Sequence, residues 1–233
     1  MNPQTLILGM GIFAFIRSIL GRAQSGKGDK APSTSPPGGL QPRTDYERIT
    51  QQFGKRVVDV GVFPETKQGF QQFLTATGIR FTKADELTRP NHPDIAARHG
   101  YADLTPPKDL WERSAALAAI FDHLRSMVGA PVTIRNSWRP APYNAAVGGS
   151  SRSDHVGNQA FDIDFRTADE GRIAICEVLR IQRDYPWMEM SLGISDHHKT
   201  IHYGVLSEPG RRGWRYRGGD VVSWYDSDLD FCR

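Results

Sequence analysis

Apolar residues at helical spacing predict two long helices in this chain. After the proline pair at 106–107, apolar side chains recur every three or four positions from Leu110 to Val128, and Gly129 follows directly. A second run of this kind starts near Thr167, a residue type that often stands just before the first turn of a helix. We therefore predict one long amphipathic helix that ends at Gly129 and another that begins near Thr167.

Alternation of apolar and polar residues predicts strands in three short segments. These segments are PVTIRNSW (131–138), AFDIDF (160–165) and TIHYGV (200–205). Helices and strands are mixed along the chain without a regular strand–helix–strand repeat. This order predicts an α+β fold in which a small, mainly antiparallel sheet packs with helices.

Composition divides the chain into four parts. Residues 1–21 contain an apolar run that is shorter than the roughly 20 residues of a spanning helix, so we predict an apolar helix that acts as an anchor or an assembly contact. Residues 22–43 are rich in Gly, Pro and Ser and have too few apolar side chains for a core, which predicts a flexible linker. Residues 44–79 have the pattern of a helical lead-in, and residues 80–233 form the predicted main domain. Residues 5–21 allow contact with a membrane or with a virion.

Charge and cysteine content narrow the choices only slightly. The formal charge of +3 and the pI near 8.9 are mild, so nucleic acid is not a favoured partner. The arginines concentrate in GRRGWRYRGG (210–219), which has the composition of a solvated loop or of a contact for an anionic polymer. Cys176 and Cys232 form no CxxC pair and suggest no disulfide framework, and we predict that Cys176 is a buried helix residue.

Two histidines and an aspartate are candidates for a metal site. In an extended AFDIDF segment, the side chains of Asp162 and Asp164 point to the face opposite the apolar ones. His155 precedes Asp162 by seven residues, and His202 lies in the middle of the third predicted strand. Two imidazoles and one carboxylate with an open position are a common composition of catalytic zinc sites, although this spacing alone also suits a surface hydrogen-bonded pair.

The wider context resembles a known family. The segments SWRPAPYNAAVGG, SDHVGNQAFDID and LGISDHHKTIHYGV follow one another in the chain. Together they resemble the M15 family of zinc D,D-carboxypeptidases and L-alanyl-D-glutamate endopeptidases, which cleave the stem peptides of bacterial peptidoglycan. The resemblance is to the compact branch of the family and covers roughly residues 80 to 217.

The resemblance implies a role for several residues. It implies that His155, Asp162 and His202 bind one zinc ion. Arg139 would be catalytic and would also bind substrate, because its guanidinium would stabilise the oxyanion that develops on attack. Ser153 would bind substrate or orient the ligands. Trp138, next to Arg139, is a further candidate for a side chain that lines the substrate cleft.

The sequence departs from the family pattern at two places. Asn158 replaces a glycine three residues after the first histidine, and the turn can survive because asparagine adopts left-handed conformations. Family members also carry an acidic general base three residues before the last histidine, or an aspartate two residues after it, where this chain has Lys199 and Gly204. Asp196 is our first candidate for the missing catalytic base, and Asp164 is another nearby carboxylate.

Two functions follow as expectations. The first is a metallopeptidase that hydrolyses stem peptides, either as a bacterial envelope enzyme or as a phage enzyme that opens the wall. The second is a peptidoglycan-binding or structural protein that keeps the fold without turnover, which the missing base motivates. The apolar N-terminus tips the expectation towards a virion. The bond that is cut stays open, because cleft shape rather than the zinc ligands decides between D-Ala-D-Ala and L-Ala-D-Glu.

Overall fold

The computed structural model describes residues 44–217, 220–222 and 226–232. The predicted N-terminal helix and the linker, residues 1–21 and 22–43, lie outside these residues. In the described part of the chain, the helices are α1 (Asp45–Gln52), α2 (Lys67–Ala76), α3 (Ala84–Thr88), α4 (Pro93–Arg98), α5 (Trp111–Val128), α6 (Ala141–Ala146) and α7 (Ala168–Asp184). The strands are β1 (Thr133–Asn136), β2 (Ala160–Asp164), β3 (Ser191–Ile194), β4 (Thr200–Gly204), β5 (Arg212–Arg217) and β6 (Asp220–Val222).

The strands form one mixed sheet in the order β1-β2-β4-β3-β5-β6. All neighbouring pairs are antiparallel except β3 and β5, which run parallel. The predicted α+β fold with a mainly antiparallel sheet is therefore confirmed. The strands β3, β5 and β6 were not predicted, and β5 falls in the arginine-rich segment that we had interpreted as a loop or a surface contact.

The apolar face of the sheet packs against α5. One row of isoleucines crosses four strands, because Ile134, Ile163, Ile201 and Ile194 are paired in register. The hydroxyl of Tyr203 donates to the carbonyl of Leu117 on α5 at 2.9 Å, and further rings and aliphatic side chains fill the same layer. Burial of this kind contributes about 25 cal/mol per Å² of apolar surface and supplies most of the driving force for the fold.

The first long helix ends and the second begins where the pattern predicted. Gly129 follows α5 with a φ of 67°, a left-handed conformation that glycine adopts at little cost. Thr167 caps α7, because its side chain accepts a hydrogen bond from the Glu170 amide. The prediction that the first helix is amphipathic was wrong. All residues from Ser114 to Asp122 are buried, because the sheet covers one side of α5 while α1 and α7 pack on other sides.

The prediction for the cysteines was also wrong. Cys176 on α7 forms a disulfide with Cys232, and it is only partly buried. The two residues are 56 positions apart, so no local spacing motif could reveal the pair. The disulfide ties the last described turn of the chain, Asp226–Cys232, to α7. Among the described residues, no helix combines the length and apolar character that a membrane span requires.

Candidate metal centre

A polar row crosses the sheet on the face opposite α5. Asn136, Asp162, His202, Gly193 and Trp214 are paired in register from β1 to β5. These positions share one face because residues directly opposite one another on neighbouring strands point to the same side of the sheet. A register shift in β1 between Ile134 and Asn136 places Asn136 on this face, opposite to that of Ile134. The row therefore brings residues from five strands to one surface, where they form the floor of a cleft.

Three side chains on this floor converge on one point. Asp162 Oδ1 lies 3.1 Å from His155 Nε2 and 2.9 Å from His202 Nδ1. One ligand atom from each of the three residues lies within 4.8 Å of the other two. Ligands at 2.0–2.2 Å from a tetrahedral zinc ion lie about 3.4 Å from one another, so a small adjustment suffices. The residues that the sequence nominated as metal ligands are therefore the ones that the fold brings together.

Two of the three side chains, His155 and Asp162, are each oriented by a further partner. His155 Nδ1 lies 2.7 Å from the Ser137 carbonyl, which can only accept, so Nδ1 carries the proton and Nε2 is left with its lone pair. Nε2 is buried and makes no hydrogen bond. Asn136 Nδ2 donates to Asp162 Oδ2 at 2.9 Å, which leaves Oδ1 facing the two imidazoles. Such outer contacts fix the tautomer and direction of metal ligands, so the donor set fits a zinc ion.

Burial and the shared carboxylate shift the pKa values of the three groups. Burial lowers the pKa of His155, although the nearby Asp162 acts in the opposite direction. Burial would raise the pKa of Asp162, but the two imidazoles outweigh it and hold this pKa well below its ordinary value. For His202, burial acts to lower the pKa, and the hydrogen bonds with Asp154 and Asp162 outweigh it in the metal-free protein. Metal binding needs the neutral imidazole, so it competes with protonation of His202.

The loop that carries His155 depends on Asn158. Asn158 has a φ of 54°, in the left-handed region, as predicted for a replacement of glycine at this turn. Its side-chain amide donates to the Leu110 carbonyl at 2.9 Å and to the Ser114 hydroxyl at 2.7 Å. These two bonds tie the loop to the start of α5. In addition, the backbone amide of Arg139 donates to the His155 carbonyl at 3.0 Å.

Arg139 and Ser153 both lie in the cleft above the three ligands. The cleft has a volume of about 650 Å³, and its walls include both residues together with His155, Asp162 and His202. Arg139 Nη2 lies 3.4 Å from the Ser153 hydroxyl, while Arg139 Nε is buried without a hydrogen-bond partner. An arginine with unused donor capacity beside a metal centre can bind a carbonyl or a carboxylate.

With this geometry in place, the comparisons with known proteins decide the family. The family model described as Peptidase M15 matches residues 85–204, just over half of the chain. The chain belongs to the peptidase M15 family. The matched region contains all three candidate ligands as well as Arg139 and Ser153. Neither the search of curated proteins nor the search of solved structures finds a match.

Three candidate residues do not line the cleft of this M15 peptidase. Trp138 is not part of the cleft lining; its indole N–H donates to the Val156 carbonyl at 3.2 Å, and its ring packs on a small apolar cluster around Tyr143. Asp196 is exposed in the turn between β3 and β4 and does not line the cleft either. Asp164 is bound to Arg135 Nε at 2.8 Å and to the Thr200 hydroxyl at 2.7 Å. None of these placements supplies the base that the M15 pattern leads one to expect.

Besides Arg152, four charged or aromatic residues of the cleft escaped the sequence analysis. Three of them, Arg212, Trp214 and Tyr216, alternate along β5 and line one wall of the cleft. The Trp214 ring lies 5.0 Å from the His202 ring and directly over Gly193, where a Cβ would come within 2.5 Å of the indole. The fourth residue is Asp154, a buried carboxylate next to His155. The spacing of two along RGWRYR was the signal that could have revealed the residues on β5.

Proposed function

We propose that this protein is a zinc-dependent peptidase that hydrolyses peptide bonds in the stem peptides of bacterial peptidoglycan. The observation that carries the proposal is the convergence of His155 Nε2, Asp162 Oδ1 and His202 Nδ1 in the cleft of an M15 family member. Three such ligands leave a fourth position of a tetrahedral ion open for water or substrate. That composition favours a catalytic ion over a structural one.

The residues of the chain would divide the work around the ion. When bound, zinc supplies Lewis-acid chemistry, which polarises a substrate carbonyl and makes water nucleophilic near neutral pH. Arg139 donates to the same carbonyl or to a neighbouring carboxylate and stabilises the negative charge that develops on the carbonyl oxygen. Ser153, beside Arg139, offers a hydroxyl that can hold the substrate backbone in the orientation that attack requires.

The charge of the cleft favours an anionic substrate. The cleft is lined by three arginines and two aspartates, namely Arg139, Arg152, Arg212, Asp154 and Asp162. A bound zinc ion would add two further positive charges, so the occupied cleft would carry a clear positive excess. Peptidoglycan stem peptides carry free carboxylates, and this complementarity supports them as the substrate class.

The disulfide supports a location outside a reducing cytoplasm. Disulfides such as that between Cys176 and Cys232 persist in oxidising compartments, which include the bacterial periplasm and the surface of a virion. Either location gives access to the cell wall. We propose that residues 5–21 tether the enzyme there, through a membrane or through a contact in the virion.

A second function, peptidoglycan binding without turnover, is favoured by one specific observation. Lys199 and Gly204 stand at the two positions where M15 relatives are expected to carry the acidic base. In the described lining of the cleft, the carboxylates are Asp154 and Asp162, and both are engaged by several partners. A protein of this kind would hold stem peptides in the cleft without cleaving them.

One experiment separates the two functions. Full-length protein is incubated with purified peptidoglycan, with and without zinc, and the soluble fragments are identified by mass spectrometry. We expect zinc-dependent release of one defined product, lost in His202→Ala and kept in the control Asp164→Asn, whose carboxylate lies outside the ligand cluster. The mass of the product also names the bond. A folded, zinc-loaded protein that releases nothing from walls of several chemotypes would favour the binding function.

A further inference from the structure

A buried carboxylate stands behind one of the metal ligands. Asp154 is 3% exposed and lies on the side of His202 that faces away from Asp162. Its Oδ2 is 3.5 Å from His202 Nε2, while His202 Nδ1 is 2.9 Å from Asp162 Oδ1. The imidazole of His202 therefore lies between two carboxylates, and the Ser191 hydroxyl, which donates to Asp154, stands 3.4 Å from the same Nε2.

Asp154 is fixed by donors from three separate segments. The Ser191 hydroxyl on β3 donates to Oδ2 at 2.6 Å, and Arg212 Nη2 on β5 donates to the same oxygen at 3.0 Å. The Ser207 hydroxyl, in the segment after β4, donates to Oδ1 at 2.9 Å. Both oxygens are engaged, and the charge is balanced by Arg212. Asp154 is therefore poorly suited to take a proton from a water in the cleft, and its effect must pass through His202.

A glycine on β4 makes room for this carboxylate. Gly204 lies two residues after His202 and points to the same face of the sheet. A Cβ at position 204 would lie 2.4 Å from Ser191 Oγ and 3.0 Å from Asp154 Oδ2. Any side chain at 204 would collide with the bond between Ser191 and Asp154. The space over this position is thus filled by a carboxylate that comes from the loop before β2.

We propose that Asp154 is a positioning residue of the metal centre. Its carboxylate occupies the space over Gly204, and from there it holds His202 with Nδ1 towards the ion. To bind a metal through Nδ1, His202 must carry its proton on Nε2, and the Asp154 carboxylate is the anionic acceptor next to that atom. The carboxylate also makes the imidazole a stronger ligand. The inference rests on the proposed zinc centre and adds a residue to it.

The test measures metal affinity rather than turnover. Zinc dissociation constants are determined for full-length protein by competition with a chromogenic chelator, and the ligand geometry is followed by the visible absorption of the cobalt-substituted protein. Asp154→Asn removes the charge and keeps the shape. We expect its zinc dissociation constant to rise about 10–100-fold with an altered cobalt spectrum, the range typical of an orienting carboxylate. The control Asp164→Asn, a carboxylate on the same face that contacts no ligand, should keep the wild-type constant.

A second variant covers the case in which Asp154→Asn fails to fold. Ser207→Ala removes one of the donors that fix Asp154 and leaves the carboxylate itself in place, so we expect a smaller rise in the zinc dissociation constant than in Asp154→Asn. Wild-type affinity in Asp154→Asn, or in Ser207→Ala where Asp154→Asn does not fold, would overturn the inference. So would a variant that keeps zinc affinity but loses turnover, since Asp154 would then act on the proton. If the wild-type protein itself does not bind zinc, the proposed metal centre fails instead.

Discussion

The two faces of β2 and β4 are held together in different ways. On the face towards α5, the rings of Phe161 and Tyr203 are buried and lie 5.9 Å apart among other apolar side chains. On the opposite face, Asp162 and His202 are paired in register and joined by one hydrogen bond of 2.9 Å. In each strand, two adjacent residues thus serve different faces: Phe161 and Tyr203 belong to the apolar core, while Asp162 and His202 belong to the polar centre.

The difference indicates which property each face controls. Apolar packing is not directional, so many contacts share the stabilisation and it scales with the buried area. In the polar centre, each side chain depends on the position of one or two partners, and a shift of an ångström removes the interaction. We expect substitutions on the apolar face to change the free energy of unfolding, and those on the polar face to change metal affinity.

The largest expected effect is on the apolar face. Phe161→Ala removes a fully buried ring that also contacts Phe121 on α5, and we expect a loss of about 3–5 kcal/mol in the free energy of unfolding. Urea titration of the metal-free protein measures the change. Ile173→Ala on α7, which removes an exposed apolar side chain, is the control and should change the value by less than about 0.5 kcal/mol. A folded Phe161→Ala variant that binds zinc more weakly would show that the apolar face also controls metal affinity.

The disulfide should affect stability without affecting the polar centre. Cys232→Ser opens the link between the C-terminal turn and α7, and we expect a loss of about 2–4 kcal/mol in the free energy of unfolding. Thermal unfolding under oxidising conditions measures it, and addition of a reductant to the wild-type protein should reproduce the shift. An unchanged melting temperature in both cases would contradict the prediction. Zinc affinity should stay constant throughout, because Cys176 and Cys232 are not among the metal-ligand candidates.

On the polar face, Asp162→Asn should act through the metal. Zinc at 1,000 times its dissociation constant stabilises a folded protein by about 4 kcal/mol. If Asp162→Asn weakens zinc binding about 100-fold, the same zinc concentration contributes only about 1.4 kcal/mol. Calorimetry with and without zinc measures the difference, and Asp164→Asn on the same strand should keep the full stabilisation. Equal zinc stabilisation in both variants would show that Asp162 is not a ligand.

The two long helices and the strands β1, β2 and β4 were predictable from the sequence, because their signals are local, whereas the candidate ligands His155, Asp162 and His202 were found through the family resemblance. Glycine and threonine at helix ends and the alternation in AFDIDF depend on residues close together in the chain. The arginine-rich segment was harder, because RGWRYR carries polar residues on both faces and pairs in parallel with β3, which precedes it by some 20 residues. Asp154 escaped for a similar reason, since its donors Ser191, Ser207 and Arg212 are 37 to 58 residues away.

The two tryptophans show how adjacency along a chain can mislead. Trp138 was proposed for the cleft because it precedes Arg139. Both residues lie between β1 and α6, and the indole of Trp138 packs on the apolar cluster around Tyr143 instead. Trp214 reaches the cleft from a strand 75 positions beyond Arg139, through the pairing of β5 with β3. Only the order of strands in the sheet could place it beside His202.

The smallest expected effect is that of a buried carboxylate on a helix, and it tests whether a charge outside the polar centre changes the metal affinity. Glu177 on α7 is buried, accepts two hydrogen bonds from Arg180 at 2.6 and 2.9 Å, and lies 2.5 Å from His123 Nε2. Burial acts to raise the pKa of Glu177, but the bonds from Arg180 and His123 outweigh burial and hold this pKa below its ordinary value of 4.5. Its folded-state pKa is thus lower than its unfolded one.

A carboxyl group with a lowered pKa stabilises the folded state above pH 4.5, and this contribution is lost as the pH falls through the folded-state value. We expect Glu177→Gln to lower the free energy of unfolding by about 1–2 kcal/mol at pH 7, a modest loss because Arg180 is partly exposed. Below pH 4.5 the difference between the variant and the wild type should narrow. Urea titrations across this range measure it, with the exposed Asp169→Asn as control. A gap that stays constant with pH would assign the loss to packing, and a change in zinc affinity would show that charges on the helices reach the metal ligands.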